Sequence, residues 1–199
     1  MKIFVNMLSA FRILAAFLII PTIMFGMYWT TFILYVLGSL SDWFDGFLAR
    51  KYQVGTKLGG VLDSISDKIF VCTSLIMLTL ITPVWFIVIP VILLIIRELY
   101  ISGLREFLGT QKMEMPVPKP RFSMGKIKTT IQMIGTAAFF LLFAVGSSIT
   151  PTTTSPIAFY LIYTLPHIGV FCLWAALVAS IWSATQYTIT FAQKVKKVK

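Results

Sequence analysis

Asp42-Trp-Phe-Asp45-Gly46-Phe-Leu-Ala49-Arg50-Lys51 leads into the polar link Tyr52–Lys57 and out again through Leu58-Gly59-Gly60-Val-Leu-Asp63-Ser-Ile-Ser-Asp67. Asp42 and Asp45 are spaced i, i+3, and Asp63 and Asp67 i, i+4. Either spacing puts a pair of side chains on one face of an α-helix. The stretch sits between apolar runs of membrane-spanning length. An ionised side chain inside such a run costs a few kcal/mol or more and usually faces a polar cavity. The short link makes the two flanking helices antiparallel neighbours, so the four carboxylates are expected to converge at one end of the pair.

The rest of the chain supplies the membrane. It has 199 residues, of which 58% are hydrophobic and 12% charged, and its mean hydropathy is +0.89. A soluble domain carries about 25% charged residues, so that class is excluded, as is disorder. The only cysteines, Cys72 and Cys172, each lie inside an apolar run and read as small core residues rather than a disulfide framework. Six apolar runs approach the roughly 20 residues a helix needs to cross a bilayer. They cover about Ala10–Trp29, Thr31–Lys51, Leu58–Ile81, Val84–Leu108, Lys126–Ser148, and Ile157 or Pro166 to Ala192. The expected fold is all-α: an integral membrane bundle of six transmembrane helices. The first run is long, lacks a clear cleavage site and is followed by five like it, so it reads as a span and not a signal peptide.

Seventeen Lys and Arg against seven Asp and Glu give a net charge of +10. Lys2 and Arg12 flank the start of the first span. Arg50, Lys51 and Lys57 lie between spans two and three. Lys112, Lys119, Arg121, Lys126 and Lys128 lie between or beside spans four and five, and Lys194, Lys196, Lys197 and Lys199 form the tail. The connections Gly26–Thr31, Thr82–Val84 and Ser147–Pro166 hold no Lys, Arg, Asp or Glu. The positive-inside rule then places both termini in the cytoplasm. The charge reads as membrane-surface anchoring, about 1 kcal/mol per residue against anionic lipid, and argues against a nucleic-acid partner. No internal repeat is evident. Residues 1–199 form one transmembrane catalytic domain, with a juxtamembrane segment 1–9, a cytoplasmic loop 109–125 holding Pro116, Pro118 and Pro120, and a basic tail 193–199.

Four converging carboxylates repel one another unless cations intervene. Arg50, Lys57 and Lys68 could supply interhelical salt bridges. A divalent metal site is the better fit, because oxygen-only ligands with no His or Cys nearby suit Mg²⁺, Mn²⁺ or Ca²⁺. Four carboxylates suffice for two ions sharing a ligand, the arrangement that clamps phosphoryl groups. Gly46, Ala49, Gly59 and Gly60 clear space beside the acids for a bulky ligand, or serve close helix packing.

These residues resemble the signature of the CDP-alcohol phosphatidyltransferases: Asp42, Asp45, Gly46, Ala49, Arg50, Gly59, Asp63 and Asp67 all stand at its spacing. Three further stretches are similar to bacterial members whose acceptor is sn-glycerol 3-phosphate. They are Asn6-Met-Leu-Ser-Ala-Phe-Arg12, with Ser9 where those members usually have Thr; Arg97-Glu98-Leu-Tyr-Ile-Ser-Gly-Leu-Arg105-Glu106; and Gly125-Lys126-Ile-Lys128-Thr129-Thr130-Ile-Gln132-Met. The resemblance covers about Asn6 to Met133; beyond Gly135 there is hydropathy but no motif.

The resemblance implies a transfer from CDP-diacylglycerol to sn-glycerol 3-phosphate, giving phosphatidylglycerophosphate and CMP in phospholipid biosynthesis. It implies Asp42, Asp45, Asp63 and Asp67 as ligands of two divalent ions, Mg or Mn, with Asp67 also the general base. Gly46, Ala49, Arg50, Gly59 and Asn6 would hold CDP-diacylglycerol. Arg105, with Arg97 and Lys128, would take the acceptor phosphate, since Arg binds phosphate bidentately. For each arginine an ion pair with Glu98 or Glu106 is the alternative, and Lys126 reads as an interfacial anchor. His167 has no assigned role. A homodimer in the bacterial cytoplasmic (inner) membrane is implied, its site facing the cytoplasm. Two rivals stay open: a sister enzyme accepting serine, inositol phosphate or phosphatidylglycerol, and a divalent-cation transporter using the same acids.

Overall fold

The computed structural model describes residues 2–52, 57–110, 124–149 and 156–198, and within them the side chains at 7–41, 44, 59–107, 127–149 and 156–193. The described residues hold helices and no strand. The helices are α1 (Lys2–Met24), α2 (Tyr28–Tyr52), α3 (Lys57–Ile81), α4 (Trp85–Thr110), α5 (Met124–Ser148) and α6 (Pro156–Val198). Each follows an apolar run, because in lipid a helix alone satisfies every backbone polar group within one segment. Pro21, Pro90 and Pro166 lie inside α1, α4 and α6 without ending them.

Five helices are long and apolar enough to cross a membrane; their apolar stretches are Met7–Met24, Gly59–Ile81, Trp85–Phe107, Ile127–Ser148 and Pro156–Gln193. Helix α2 carries Asp42, Asp45, Arg50 and Lys51 in its C-terminal half, where most side chains lie outside the described set. Several expected boundaries move. Residues 2–9 of the juxtamembrane segment are the first turns of α1. The loop expected over 109–125 loses its ends to α4 and α5, and 111–123 lie outside the described residues. The last helix starts at Pro156, beside the earlier of its two expected starts, and runs 43 residues, so the basic tail continues it as helix to Val198. At 1.5 Å per residue that is about 65 Å, roughly twice the hydrocarbon thickness.

Helix α1 is the hub at one side: it packs along both α2 and α3, while α5 pairs with α6 and α6 also carries α4. Among the described residues α2 and α3 touch each other only narrowly. They meet where Phe70 stacks on Tyr35, ring centroids 5.4 Å apart, and lies against Gly38. The apolar core follows from that packing, with Ala15, Ile19, Phe70, Leu78, Leu94, Phe140 and Leu173 buried. Thr31 on α2 bonds Thr22 on α1 at 2.9 Å, the kind of polar contact that joins helices where burial of apolar surface gives no driving force.

The α5–α6 contact rests on Gly135. A Cβ there would stand 2.9 Å from Cys172 Cβ, 3.2 Å from the Gly169 carbonyl oxygen and 3.4 Å from the Leu173 nitrogen. Two of those neighbours are backbone and cannot swing aside. Gly135→Ala is expected to separate the two helices and lower stability by about 1–3 kcal/mol, the usual cost of overpacking. Thermal unfolding in detergent measures this, with Gly146→Ala, where a Cβ meets nothing within 4 Å, as the silent control.

Aromatic side chains mark the uncharged end. Trp29 donates to Ser148 at 2.6 Å, Tyr28 lies against Phe143, and Trp85 sits edge-on to Phe86. Such rings favour the boundary between lipid and water.

Candidate active site

The charged residues gather at the opposite end. The sequence alternates direction with each helix, so the C-terminal halves of α2, α4 and α6 lie level with the N-terminal halves of α1, α3 and α5. Three side-chain contacts show the alignment directly. Arg12 on α1 pairs with Asp63 on α3, Lys68 on α3 bonds Ser102 on α4, and Lys128 on α5 pairs with Glu98 on α4.

Asp63 and Asp67 occupy successive turns of α3. The Arg12 guanidinium, fully buried, bonds Asp63 Oδ1, while the Asp63 side chain remains 48% exposed. One side of that carboxylate is thus held by the protein and the other is open. Asp67 is half-buried, one turn further along α3. Asp42 and Asp45 lie on α2, with their side chains outside the described set. So do those of Asn6, Gly46, Ala49 and Arg50. Gly59 lies in the first turn of α3, partly exposed. Among the described residues no three His, Cys, Asp or Glu side chains come together. The described members, Asp63 and Asp67, offer hard oxygen donors one turn apart, and that chemistry fits Mg²⁺ or Mn²⁺.

The proposed acceptor residues divide by environment. Arg97 is nearly buried and tied to α6, donating through Nε to the Ser180 carbonyl at 3.2 Å and through Nη2 to Ser183 Oγ at 3.1 Å. Its Nη1 reaches Glu98 Oε1 at 3.2 Å. Lys128 is buried and pairs with that same oxygen. The alternative reading of Arg97 as an ion-pair partner of Glu98 is therefore realised in this structure, with Lys128 added to it. Arg105 is exposed; it lies 5.4 Å over the Tyr187 ring and donates to its hydroxyl at 3.4 Å. His167 rests edge-on to Tyr163 of the same helix.

The sequence reading missed Arg12 as the partner of Asp63, and missed Ser180, Ser183 and Tyr187 as the α6 contacts of the arginines. Arg12 had a signal. It lies within an otherwise apolar helix, where a cation needs an acid, and the nearest supply is the cluster on α2 and α3. The α6 residues had none, because Ser and Tyr on an apolar helix look alike whether they face lipid or an arginine.

A bundle of membrane-length helices with a carboxylate-rich end, fed by buried cations from three helices, suits a lipid-modifying transferase handling phosphate groups. The model of the CDP-alcohol phosphatidyltransferase family matches residues 2–182, and the chain belongs to that family. Among curated bacterial proteins, it is 40% identical over 115 residues to the CDP-diacylglycerol–glycerol-3-phosphate 3-phosphatidyltransferase of Cereibacter sphaeroides, covering 57% of this chain and half of that relative's length. It is 33% identical over 155 residues to the protein of the same name from Pectobacterium atrosepticum (78% of this chain, 74% of the relative). With the one from Blochmanniella floridana it shares 28% over 183 residues (90% and 86%).

Proposed function

We propose that this chain transfers the phosphatidyl group of CDP-diacylglycerol to sn-glycerol 3-phosphate, forming phosphatidylglycerophosphate and releasing CMP. The observation that supports the reading beyond the family is the Arg97–Glu98–Lys128 cluster. It supplies two buried cations at the charged end, where an acceptor that carries its own phosphate would need them. Serine brings no phosphate to such a seat, which favours a phosphorylated acceptor among the sister activities. A cation transporter would need polar groups through to the far end, where the described residues instead present Trp29, Trp85 and other aromatic side chains.

In the reaction the primary hydroxyl of glycerol phosphate attacks the phosphorus that bears diacylglycerol. The new O–P bond forms as the bond to CMP breaks, and CMP leaves with the electron pair. Asp67 takes the hydroxyl proton. Asp42, Asp45, Asp63 and Asp67 would hold two divalent ions, Mg²⁺ or Mn²⁺, which supply neutralisation of the charge on the phosphate oxygens. Gly46, Ala49, Arg50, Gly59 and Asn6 hold the CDP-diacylglycerol. Arg105, exposed beside Tyr187, draws in the anionic acceptor, and Arg97 and Lys128 receive its phosphate. Holding both reactants in line is the main task, because phosphoryl transfer asks little covalent chemistry of the protein.

We place residues 1–199 as one catalytic domain in the bacterial cytoplasmic membrane, as a homodimer, with both termini and the site on the cytoplasmic side. The basic residues concentrate at the active-site end, and that asymmetry supports the orientation. Purified protein with CDP-diacylglycerol, Mg²⁺ and a panel of acceptors is the test. CMP release is expected with glycerol 3-phosphate and not with serine or inositol phosphate, lost in EDTA and restored by Mg²⁺ or Mn²⁺. A preference for another acceptor, or full activity in EDTA, would refute the corresponding part.

A further inference from the structure

Glu98 holds an unusual position in the cation cluster. Arg97 Nη1 and Lys128 Nζ, from helices α4 and α5, both bond a single oxygen, Glu98 Oε1. The two cations are the fixed members. Arg97 is anchored to α6 through Ser180 and Ser183, and the Lys128 side chain is 5% exposed. Glu98 is the loose member: its side chain is 24% exposed, and the bonds described for it are those to the two cations.

The two cations share one carboxylate oxygen, whereas a phosphate monoester at neutral pH brings close to two negative charges. A phosphate oxygen can accept the same two charge-assisted bonds that Oε1 accepts. If phosphate arrived with Glu98 still in place, three negative charges would crowd two cations in a site shielded from water, and like charges there repel strongly. Without Glu98 or a phosphate, the two buried cations would lose the oxygen that they share.

We propose that Glu98 is a placeholder for the acceptor phosphate: its carboxylate occupies the seat formed by Arg97 and Lys128 and is displaced when a phosphorylated acceptor binds. The proposal rests on the reading of these cations as the acceptor seat. It makes Glu98 a positioning residue that sets selectivity. Only an acceptor with enough negative charge to outcompete a built-in carboxylate takes the seat, and the empty seat never leaves two cations exposed to the lipid.

The placeholder competes with the acceptor, so weakening it should tighten acceptor binding. Glu98→Gln keeps the shape and removes the charge. It is expected to lower the KM for glycerol 3-phosphate several-fold and to lower the inhibition constant of inorganic phosphate, a competitor for the same seat, by a similar factor. The KM for CDP-diacylglycerol should not move. Glu98→Asp, with its carboxylate drawn back, should shift both constants in the same direction by less. Unchanged or raised values for glycerol 3-phosphate and phosphate would overturn the proposal, since a plain structural partner of Lys128 gives one of those results. Loss of the folded bundle in both variants would overturn it too, showing Glu98 to be a strut. The acceptor panel on the unmodified protein is read separately: if its preferred acceptor carries no phosphate, the seat itself is misassigned.

Discussion

Asp67→Asn is expected to cut CMP release by about 10²- to 10⁴-fold, the range supplied by a positioned general base, while leaving CDP-diacylglycerol binding measurable. The substitution keeps the size of the side chain and removes its ability to take a proton. Asp67 is the member of the cluster proposed as the base, and it lies one turn beyond Asp63 on α3. An ionised carboxylate is a weak base toward an alcohol, so part of the effect will come from lost metal charge near the hydroxyl. Titrating Mn²⁺ binding by electron paramagnetic resonance separates the two contributions. Lost turnover with nearly unchanged Mn²⁺ affinity identifies a base; parallel losses identify a ligand. Near-normal turnover would remove Asp67 from the chemistry altogether.

The sequence made the helices legible because hydropathy is a local property, and each span carries its own signal. Element ends were less legible for the same reason. The sixth run could start at Ile157 or at Pro166, because a proline ends a helix in water yet is tolerated where neighbouring helices and side chains satisfy the freed backbone groups; the structure carries α6 straight through it.

The site divides in the same way. Asp63 and Asp67 share a helix, so their spacing alone relates them. The pairing of Lys128 with Glu98 joins residues 30 apart in sequence, and that of Arg97 with Ser183 joins residues 86 apart. Neither follows from any local pattern. What local reading did provide was the inventory: a chain with seven acids leaves few partners for a buried cation. Arg12 illustrates how far that inventory could have gone. Its burial in the bundle was not visible, but a guanidinium in an apolar helix already required an acid from α2 or α3.

Arg12→Gln should therefore affect both stability and metal binding. The pair links α1 to α3, and removing one partner of a fully buried ion pair costs about 3–5 kcal/mol. Here the stranded group would be Asp63, which is 48% exposed and can be rehydrated, so a loss of about 2 kcal/mol is expected. The effect on the metal is separate. A second residue that fixes a ligand's orientation is typically worth 10–100-fold in metal affinity, so Mn²⁺ should bind 10–100-fold more weakly. Simple electrostatics predicts the reverse, because deleting a nearby cation leaves a more negative cluster that attracts Mn²⁺ more strongly. The sign of the change thus decides what Arg12 does. Weaker binding, partly rescued by Arg12→Lys, means that orientation of Asp63 outweighs the local charge. Equal or tighter binding, with only the stability lost, means that Arg12 is an interhelical tie and Asp63 needs no help to face the metal.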